Sequence, residues 1–226
     1  MSQIYAVIPA FNAESTIAQV IQGVLEQNLP AIVVDDGSAD QTSRLAAQAG
    51  ATVLRHPANQ GKGAALQTGF AFALHQQASA VVTLDADAQH APHEIERLIA
   101  AHCQSPDALI IGARSLTEAA MPKWNLVGNR ISTFFLRYFS GQPLLDSQSG
   151  FRLYPKTFLE KIIPRTRHFE TESEMLLLGA KRGFHTCHVA ISTLYAPAQK
   201  SYFHVARDTW RIITVVLRIL KETRRR

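Results

Sequence analysis

The chain has 226 residues, 46% of them hydrophobic and 18% charged, which is ordinary for a globular protein of one domain with a short appendage. Such a chain buries enough apolar surface to fold without disulfides or a structural metal, and Cys103 and Cys187 are expected to be free thiols in a reducing compartment. The net charge is +5, and the last twenty residues are rich in arginine, which indicates an anionic partner such as a membrane surface or a phosphate.

Short apolar strands alternate with amphipathic helices through the first half of the chain. The predicted strands cover residues 4–9, 31–34, 51–54, 80–84 and 108–112, and the helices between them cover 14–27, 42–50, 63–77 and 92–103. This alternation is typical of an α/β fold with a mostly parallel sheet and helices on both faces.

The regular alternation of strands and helices ends after residue 115. Helices are predicted at 123–141, 168–182 and 208–223, and strands are predicted after the polar loop at 142–154 and at 185–194. We interpret residues 1–204 as one domain and residues 205–226 as a basic amphipathic helix. The predicted apolar face of this helix consists of Trp210, Ile213, Val216, Leu217 and Leu220.

Polar side chains follow the predicted strands at the point where each strand ends. They are Asn12 and Glu14 after the first strand, Asp35 and Asp36 after the second, Asp85 and Asp87 after the fourth, and Arg114 after the fifth. Ligands of parallel α/β sheets bind at the carboxyl ends of the strands. The sequence therefore predicts an active site at this edge of the sheet.

Asp85 and Asp87 follow a continuously apolar strand as Asp-Ala-Asp. Carboxylates at such a place cost free energy unless they are paired, hydrogen-bonded or neutralised by a cation. Mg²⁺ or Mn²⁺ would neutralise them and would bridge the oxygens of a diphosphate. The structural alternative is that an aspartate caps the next helix.

Two further segments have the chemistry of a nucleotide site. The Asp36 carboxylate is placed to accept hydrogen bonds from a base edge or a ribose, whereas Asp40 or Thr42 is expected to cap the next helix. The turn at 59–63, Asn-Gln-Gly-Lys-Gly, precedes a helix whose N-terminus attracts anions, which would place Lys62 near the nucleotide or diphosphate. The alternative is an ordinary glycine-rich turn, because the spacing is not that of a P-loop.

These motifs together resemble glycosyltransferase family 2, closest to the branch of dolichyl- and polyprenyl-phosphate sugar synthases. The matching runs are IPAFNAE at 8–14, VVDDGSADQT at 33–42, NQGKGAAL at 59–66, DADAQH at 85–90, GAR at 112–114, DSQSGFR at 146–152 and FETESEM at 169–175. The resemblance covers residues 4 to about 204. It implies a GT-A fold and an inverting transfer of mannose or glucose from a nucleoside-diphosphate sugar, with Mg²⁺ or Mn²⁺ as cofactor.

The resemblance also implies roles for individual positions. The residues implied to line the nucleotide pocket are Pro9, Phe11, Asn12, Glu14 and Asp36. The residues implied to lie at the metal and diphosphate are Asp85, Asp87 and Gln89. The residues implied to act in catalysis or to close the donor sugar pocket are Asp87, Arg114, Asp146, Arg152 and Glu174. Lys200 and Ser201 are implied to close over the diphosphate, although QKSYF at 199–203 departs from the KSHF-like pattern of the family.

The acceptor determines whether the reaction needs a base. A sugar hydroxyl needs a general base, which would be Asp146 or Glu174. A phosphate monoester has a second pKa of about 6, so it is already anionic at neutral pH and needs only cations and positioning. The residues available for that purpose are Arg114, Arg130, Ser132 and Arg152.

The expected location is cytoplasmic, at the inner face of a membrane. The chain has no signal peptide after Met1 and no window of ~18 uninterrupted apolar residues. The aromatic segment at 124–139 and the basic terminal helix would bind anionic lipid, or would instead pack on the domain. A separate membrane protein is a further candidate anchor.

Other functions remain as alternatives. The enzyme could act on a soluble or polysaccharide hydroxyl, or the chain could be a non-catalytic sugar-nucleotide-binding scaffold, which the number of buried charges disfavours. His90 and His93 lack the Cys/His framework of a zinc site, and the basic residues have no nucleic-acid-binding motif beside them. A nucleotidyltransferase would carry a glycine-rich triphosphate loop near the first strand, which IPAFNAE lacks.

Overall fold

The computed structural model describes residues 3–114, 123–192 and 205–223. Within these ranges the chain forms a seven-stranded sheet in the order β3-β2-β1-β4-β6-β5-β7. The strands are β1 (Ile4–Ala10), β2 (Ala31–Asp35), β3 (Thr52–Arg55), β4 (Ala80–Thr83), β5 (Leu109–Arg114), β6 (Arg152–Pro155) and β7 (Thr186–Ile191). This architecture confirms the predicted α/β fold with a mostly parallel sheet.

Helices surround the sheet. They are α1 (Ile17–Glu26), α2 (Thr42–Gln48), α3 (Lys62–His75), α4 (Ile95–Gln104), α5 (Lys123–Ser140), α6 (Lys156–Lys161), α7 (Glu170–Lys181) and α8 (Val205–Thr223), with a 3₁₀ turn at Pro92–Glu94 before α4. The predicted helices are all present. The six-residue α6 was not predicted, because so short a segment shows too little periodicity to be recognised.

One strand runs against the others. β6 is antiparallel to both β4 and β5, and Arg152 lies opposite Thr83 on one side and Ile111 on the other. The remaining strand pairs are parallel. Because β6 begins where β4 and β5 end, the loop before it, residues 146–151, lies at the carboxyl edge of the sheet. The topology thus adds this loop to the predicted active-site edge.

Both faces of the sheet are buried. Along β1, Val7 packs in one apolar cluster, which includes residues of α3, α5, α7 and α8. Its neighbours Ala6 and Ile8 pack in a second cluster with residues of α1 and α4. Side chains of a strand alternate between the two faces, so burial of both faces accounts for the continuously apolar strands.

The terminal helix α8 packs against α5 and α7. Its buried stripe consists of Ile212, Val215, Val216 and Ile219, which have the spacing of one helical face. Trp210 and Leu217, which the sequence placed on the apolar face, are exposed. The expected face is therefore corrected: α8 has a buried apolar stripe and a separate exposed one.

None of the helices in the described ranges combines the length and the apolar character that crossing a bilayer requires.

Candidate active site

The site lies where β1, β2, β4 and β5 end. Asp85 and Asp87 follow β4, and the Asp87 carboxylate accepts a hydrogen bond from the Gln89 backbone N–H at 3.0 Å. Ala88, between Asp87 and Gln89, has a left-handed backbone (φ 57), a conformation typical of tight turns. The Asp-Ala-Asp motif is therefore presented by a tight turn, with Gln89 fixing one carboxylate through its main chain.

Lys62 and Glu172 complete a cluster around Asp85. The Lys62 ammonium lies 2.7 Å from Asp85 Oδ1 and 3.1 Å from Glu172 Oε2. His90 Nε2 lies 3.6 Å from Asp85 Oδ2, and the His90 ring stacks on Phe151. The Lys62 ammonium thus joins two carboxylates that are far apart in the sequence.

The two aspartates have opposite electrostatic surroundings. Burial alone would raise the pKa of Asp85, but Lys62 and His90 outweigh it and hold that pKa well below its usual range. Burial and the charge of Asp85 raise the pKa of Asp87. Burial alone would lower the pKa of Lys62, but Asp85 and Glu172 raise it above its ordinary value. The cluster therefore concentrates negative charge that a cation would stabilise.

The residues at this site fit a divalent cation. Two carboxylates are the hard oxygen ligands that Mg²⁺ and Mn²⁺ prefer. Gly150 makes room for one of them, since a Cβ there would lie 2.6 Å from Asp85 Oδ2. Among the described residues, no group of three or more His, Cys, Asp or Glu side chains is arranged to hold a metal. A cation here would therefore need ligands from a substrate or from water in addition to the two aspartates.

The loops after β1 and β2 are joined by reciprocal hydrogen bonds. The Asn12 N–H donates to Ser38 Oγ at 2.8 Å, and the Asn12 side-chain oxygen accepts from the Ala39 N–H at 2.9 Å. The Glu14 N–H donates to Asp40, and Glu14 Oε2 accepts from the Gln41 N–H at 3.1 Å. Asp40 also accepts from the Thr42 N–H at 3.0 Å, but the N-cap position of α2 is Gln41, which differs from the predicted Asp40 or Thr42. Four of the residues predicted to line the nucleotide pocket, Pro9, Phe11, Asn12 and Glu14, lie on or beside this joined pair of loops.

Asp36 is buried and engaged within the chain. Its carboxylate accepts hydrogen bonds from the backbone N–H groups of Gln60 and Gly61, at 2.9 Å and 2.7 Å, and lies 2.7 Å from His56 Nδ1. A carboxylate has about four acceptor positions, so most of its capacity is used. The structure thus gives Asp36 a role that the sequence did not indicate, which is to hold the turn at 59–61.

The glycines of that turn allow another segment to approach. A Cβ at Gly61 would lie 2.2 Å from His168 Nδ1, and a Cβ at Gly63 would lie 1.9 Å from Thr171 Oγ1. The Ala64 N–H at the start of α3 donates to the Arg167 carbonyl at 2.9 Å. The glycine-rich turn therefore accommodates the chain before α7, and Lys62 reaches the Asp85 carboxylate from it.

Arg114 and Asp146 form a buried bidentate pair. Arg114 Nε and one terminal nitrogen contact the two Asp146 oxygens at 2.7 Å and 3.1 Å. Asp146 also accepts from the Asn129 side chain at 2.9 Å and from the Gln148 N–H at 3.1 Å. Arg114 and Asp146 are thus partners of each other, so Asp146 is not available as a general base without breaking this pair.

The remaining predicted acceptor residues lie on α5. Arg130 is exposed. The Ser132 hydroxyl is buried, donates to the Asn129 carbonyl at 3.1 Å and accepts from the Gln148 side chain at 3.0 Å. Ser132 therefore helps to hold the loop after Asp146, which differs from the expected direct contact with a phosphate.

Arg152 is buried among backbone carbonyls. Its side chain donates to the carbonyls of Ser149 and Ser147 at 2.7 Å each, and to that of Glu172 at 3.1 Å. The residue is fully buried. This corrects the expectation that Arg152 contacts a ligand: it instead connects the 147–149 loop with the first turn of α7.

The two glutamates of the FETESEM run face different surroundings. Glu174, the predicted residue, accepts from the backbone N–H groups of Arg165 and Thr166 and pairs with Arg218 of α8. Glu172, which was not predicted, contacts the Lys62 ammonium, which also contacts Asp85. Residues two apart on a helix point in different directions, so Glu172 lies beside Lys62 whereas the predicted Glu174 faces α8 and the segment before α7.

Sequence reasoning also missed the contributions of Gly150 and Asn129. Gly150 was included in a motif, but its contact with Asp85 depends on the antiparallel placement of β6. Asn129 had no recognisable signal within its helix. Lys200 and Ser201 lie outside the described residues.

The chain matches a known family and several of its members. Residues 5–163 match the model of glycosyl transferase family 2. The UDP-N-acetylglucosamine–dolichyl-phosphate N-acetylglucosaminyltransferase of Methanococcus voltae is 31% identical over 85% of this chain and 86% of its own length. The polyprenol monophosphomannose synthase of Mycolicibacterium smegmatis is 32% identical over 69% of this chain and 63% of its own length.

A solved structure shares the fold. Glucosyl-3-phosphoglycerate synthase of Mycobacterium tuberculosis, in complex with Mn²⁺, UDP and glucosyl-3-phosphoglycerate, aligns with a TM-score of 0.76 over 96% of this chain and 79% of that chain. The sequence identity is 19%, so the likeness establishes the fold. Together with the family match, it shows that this chain belongs to glycosyltransferase family 2 and is a glycosyltransferase with a GT-A fold.

Proposed function

We propose that this enzyme transfers a sugar from a nucleoside diphosphate to the phosphate of a polyprenyl phosphate, with Mg²⁺ or Mn²⁺ at Asp85 and Asp87. The curated relatives described above are named as a dolichyl-phosphate N-acetylglucosaminyltransferase and a polyprenol monophosphomannose synthase. The structural neighbour was crystallised with Mn²⁺ and UDP. We infer a donor carrying mannose or glucose, and the first relative's name adds N-acetylglucosamine to the donors to be tested.

The observation that carries this proposal is the composition of α5. One side of this helix faces the site, where Asn129 contacts Asp146 and Ser132 contacts Gln148. Its outer side exposes large apolar groups, with Phe134 66% and Tyr138 73% accessible. Exposed apolar surfaces of this kind mark sites of interaction, including those with lipid. A lipid acceptor would place its chain on this outer surface and its phosphate at the nearby site.

The state of the predicted bases supports a phosphate acceptor. Asp146 is paired with Arg114, and Glu174 is paired with Arg218 and with two backbone N–H groups. Neither carboxylate is placed to remove a proton from a hydroxyl. A phosphate monoester is already anionic and does not require that step.

In the proposed reaction, a phosphate oxygen of the acceptor attacks the anomeric carbon of the donor sugar. The new carbon–oxygen bond forms as the bond to the diphosphate breaks, and the nucleoside diphosphate leaves with the electron pair. A bound divalent cation would stabilise the negative charge of the leaving diphosphate. The loops at 11–14 and 38–42 would hold the nucleotide, the exposed Arg130 would attract the acceptor phosphate, and Arg114 would remain at the inner wall of the site.

A hydroxyl acceptor is the second candidate, and one observation favours it. Glu172 contacts Lys62, the partner of Asp85, and its Oε1 is buried without a hydrogen-bond partner among the described residues. A carboxylate so placed could serve as a general base. Its contact with Lys62 opposes this use, because the Lys62 ammonium already occupies the other oxygen of the carboxylate at 3.1 Å.

The test is a transfer assay with purified protein and labelled GDP-mannose, UDP-glucose and UDP-N-acetylglucosamine, each with Mg²⁺ or Mn²⁺. The acceptors are a polyprenyl phosphate, the matching polyprenol without phosphate, and a short water-soluble prenyl phosphate. We expect label in the lipid extract with the polyprenyl phosphate and none with the polyprenol. Transfer to the polyprenol or to a sugar hydroxyl would contradict the proposal and support a hydroxyl acceptor.

The Asp87→Ala variant tests the metal assignment in the same assay. We expect a loss of activity of at least about a hundredfold, because charge stabilisation by a bound metal accounts for several kcal/mol of the barrier. Asp107→Ala, which removes an exposed aspartate remote from the motif, is the control and should keep normal activity. Circular dichroism checks that both variants fold. Full activity of Asp87→Ala would contradict the assignment.

A further inference from the structure

The Lys62 side chain lies between two carboxylates at the centre of the site. Its ammonium contacts Asp85 at 2.7 Å and Glu172 at 3.1 Å. The side chain of Lys62 is 15% exposed and that of Glu172 is 7% exposed, whereas Asp85 is 29% exposed. Asp85 is thus the member of this triad that a ligand can reach.

A divalent cation that binds Asp85 meets an oxygen that is already ion-paired. The cation must either displace the Lys62 ammonium from Asp85 Oδ1 or share that carboxylate with it. Sharing is unfavourable, because two cations at one carboxylate repel each other strongly where water is partly excluded. The carboxylate has little freedom to turn away, because Gly150 packs directly against it.

Glu172 is built to receive the displaced ammonium. Its Oε2 already contacts Lys62, and its Oε1 is buried without a hydrogen-bond partner. A buried acceptor without a partner is costly, so a second contact with the ammonium would stabilise it. The ring of Phe169, which precedes α7, lies 5.8 Å from the ammonium and adds a further attraction on the same side.

We propose that Lys62 and the divalent cation compete for Asp85, and that Glu172 is the positioning residue that holds Lys62 when the cation binds. This inference rests on the metal site of the proposed function and is independent of the acceptor. Lys62 then sets the affinity of the site for the cation. Because Glu172 holds Lys62, the charge of the Lys62 ammonium remains close to the diphosphate of the bound donor.

Mn²⁺ binding tests the proposal without catalysis. The free Mn²⁺ signal in electron paramagnetic resonance is followed during titration of the protein alone, then with UDP and with GDP. Lys62→Met should bind Mn²⁺ about tenfold more tightly than the unmodified protein, because the competing charge is gone. Glu172→Gln should bind it about tenfold more weakly, because Lys62 loses its alternative partner. In the double variant the effect of Glu172→Gln should disappear, so its affinity should match that of Lys62→Met.

The controls are Lys156→Met and Glu160→Gln, which alter an exposed lysine–glutamate pair on α6 and should leave Mn²⁺ binding unchanged. Thermal unfolding confirms that each variant is folded. Unchanged or weaker Mn²⁺ binding by Lys62→Met overturns the proposal. The proposal is also overturned if Glu172→Gln lowers the Mn²⁺ affinity equally in the unmodified protein and in Lys62→Met. If Mn²⁺ binds as expected but no lipid phosphate is glycosylated, the acceptor assignment fails and this inference stands. If Mn²⁺ binds under none of these conditions, both fail.

Discussion

Asp146 is a buried carboxylate whose neighbours keep it ionised. Burial alone would raise its pKa, but the hydrogen bond and charge of Arg114, with the Asn129 side chain, hold that pKa below its ordinary value of 3.8. The ionised form therefore stabilises the fold above about pH 4, and this contribution is lost as the pH falls through the folded-state pKa.

Replacing Asp146 by asparagine should reveal this contribution. At pH 7, Asp146→Asn leaves Arg114 without its ionic partner and should lower the free energy of unfolding by about 3 kcal/mol. The difference from the unmodified protein should narrow as the pH falls below about 4, because Asp146 is then protonated in the unfolded chain but still ionised in the folded one. Urea unfolding between pH 7 and pH 3.5 measures both values. A difference that stays constant with pH would show that the ionised state of Asp146 is not responsible.

Gly150 determines where the Asp85 carboxylate can lie. A Cβ at this position would meet three atoms of that carboxylate within 3 Å. We expect Gly150→Ala to displace Asp85 and to reduce Mn²⁺ affinity and transfer activity at least about tenfold, since a metal site tolerates little misplacement of its ligands.

Gly141→Ala is the matched control for that substitution. Gly141 has a left-handed backbone (φ 67), but nothing lies within 4 Å of the added Cβ. The substitution should therefore lower stability by about 1 kcal/mol without changing Mn²⁺ affinity. Normal Mn²⁺ binding by Gly150→Ala would disprove the steric argument.

At the scale of secondary-structure elements, Glu174 connects α7 with α8 and with the segment before α7. One oxygen accepts from the N–H groups of Arg165 and Thr166 at 2.9 Å and 2.8 Å, and the other pairs with Arg218. The same segment contacts α3, because the Gln67 side chain donates to the Thr166 carbonyl at 2.7 Å. The terminal helix is thus linked through one carboxylate to the helix that carries Lys62.

Removing this link should affect the donor site from a distance. Glu174→Gln should lower the free energy of unfolding by about 3 kcal/mol, because it leaves a network of buried partners incomplete. Arg218→Met, a milder change, should raise the KM for the donor more than it lowers kcat, since it loosens the segment beside Lys62. Arg182→Met, which removes an exposed arginine directly after α7, is the control for the loss of an arginine. Steady-state kinetics in which Arg218→Met changes only kcat would contradict this coupling.

At the scale of the whole molecule, most of the exposed large apolar side chains of the described residues lie on α5 and α8. Ile131 and Phe135 of α5 line a groove of about 100 Å³ with Ile213 and Leu217 of α8. Arg130 and Arg137 are exposed on the same part of α5. Apolar groups beside arginines suit the surface of an anionic membrane, so we expect this side of the enzyme to face the membrane if the acceptor is the proposed polyprenyl phosphate.

The double variant Trp210→Ser/Leu217→Ser tests this orientation. Both side chains are exposed, at 65% and 51%, so the fold should be kept. Binding to vesicles that contain anionic lipid should weaken at least about tenfold, because each apolar side chain contributes about 1.5–3 kcal/mol when buried. Sedimentation with vesicles measures the effect. The difference between binding to anionic and to neutral vesicles gives the electrostatic contribution. Unchanged vesicle binding by the double variant would show that this surface does not bind the membrane. Truncating α8 would be a poorer test, because Ile212 and Val215 belong to the core.

Local patterns in the sequence predicted most of the fold. The apolar runs of β1 to β5, and the helical periodicity between them, depend on neighbouring residues, so they could be read without knowledge of distant contacts. The convergence of Asp36, Asp85 and Arg114 at one edge followed from the parallel arrangement of the strands, because all their carboxyl ends must lie together.

Tertiary structure decided the partners of those residues. Whether Glu172 or Glu174 faces the site depends on how α7 is rotated against its neighbours, and α8 contributes the partner of Glu174 from 44 positions along the chain. Arg152 is buried because β6 enters the sheet between β4 and β5. The chemistry of the Asp-Ala-Asp motif could be inferred from its two carboxylates alone. The charges that surround it come from segments far apart in sequence, and only their packing together determines which of them meet.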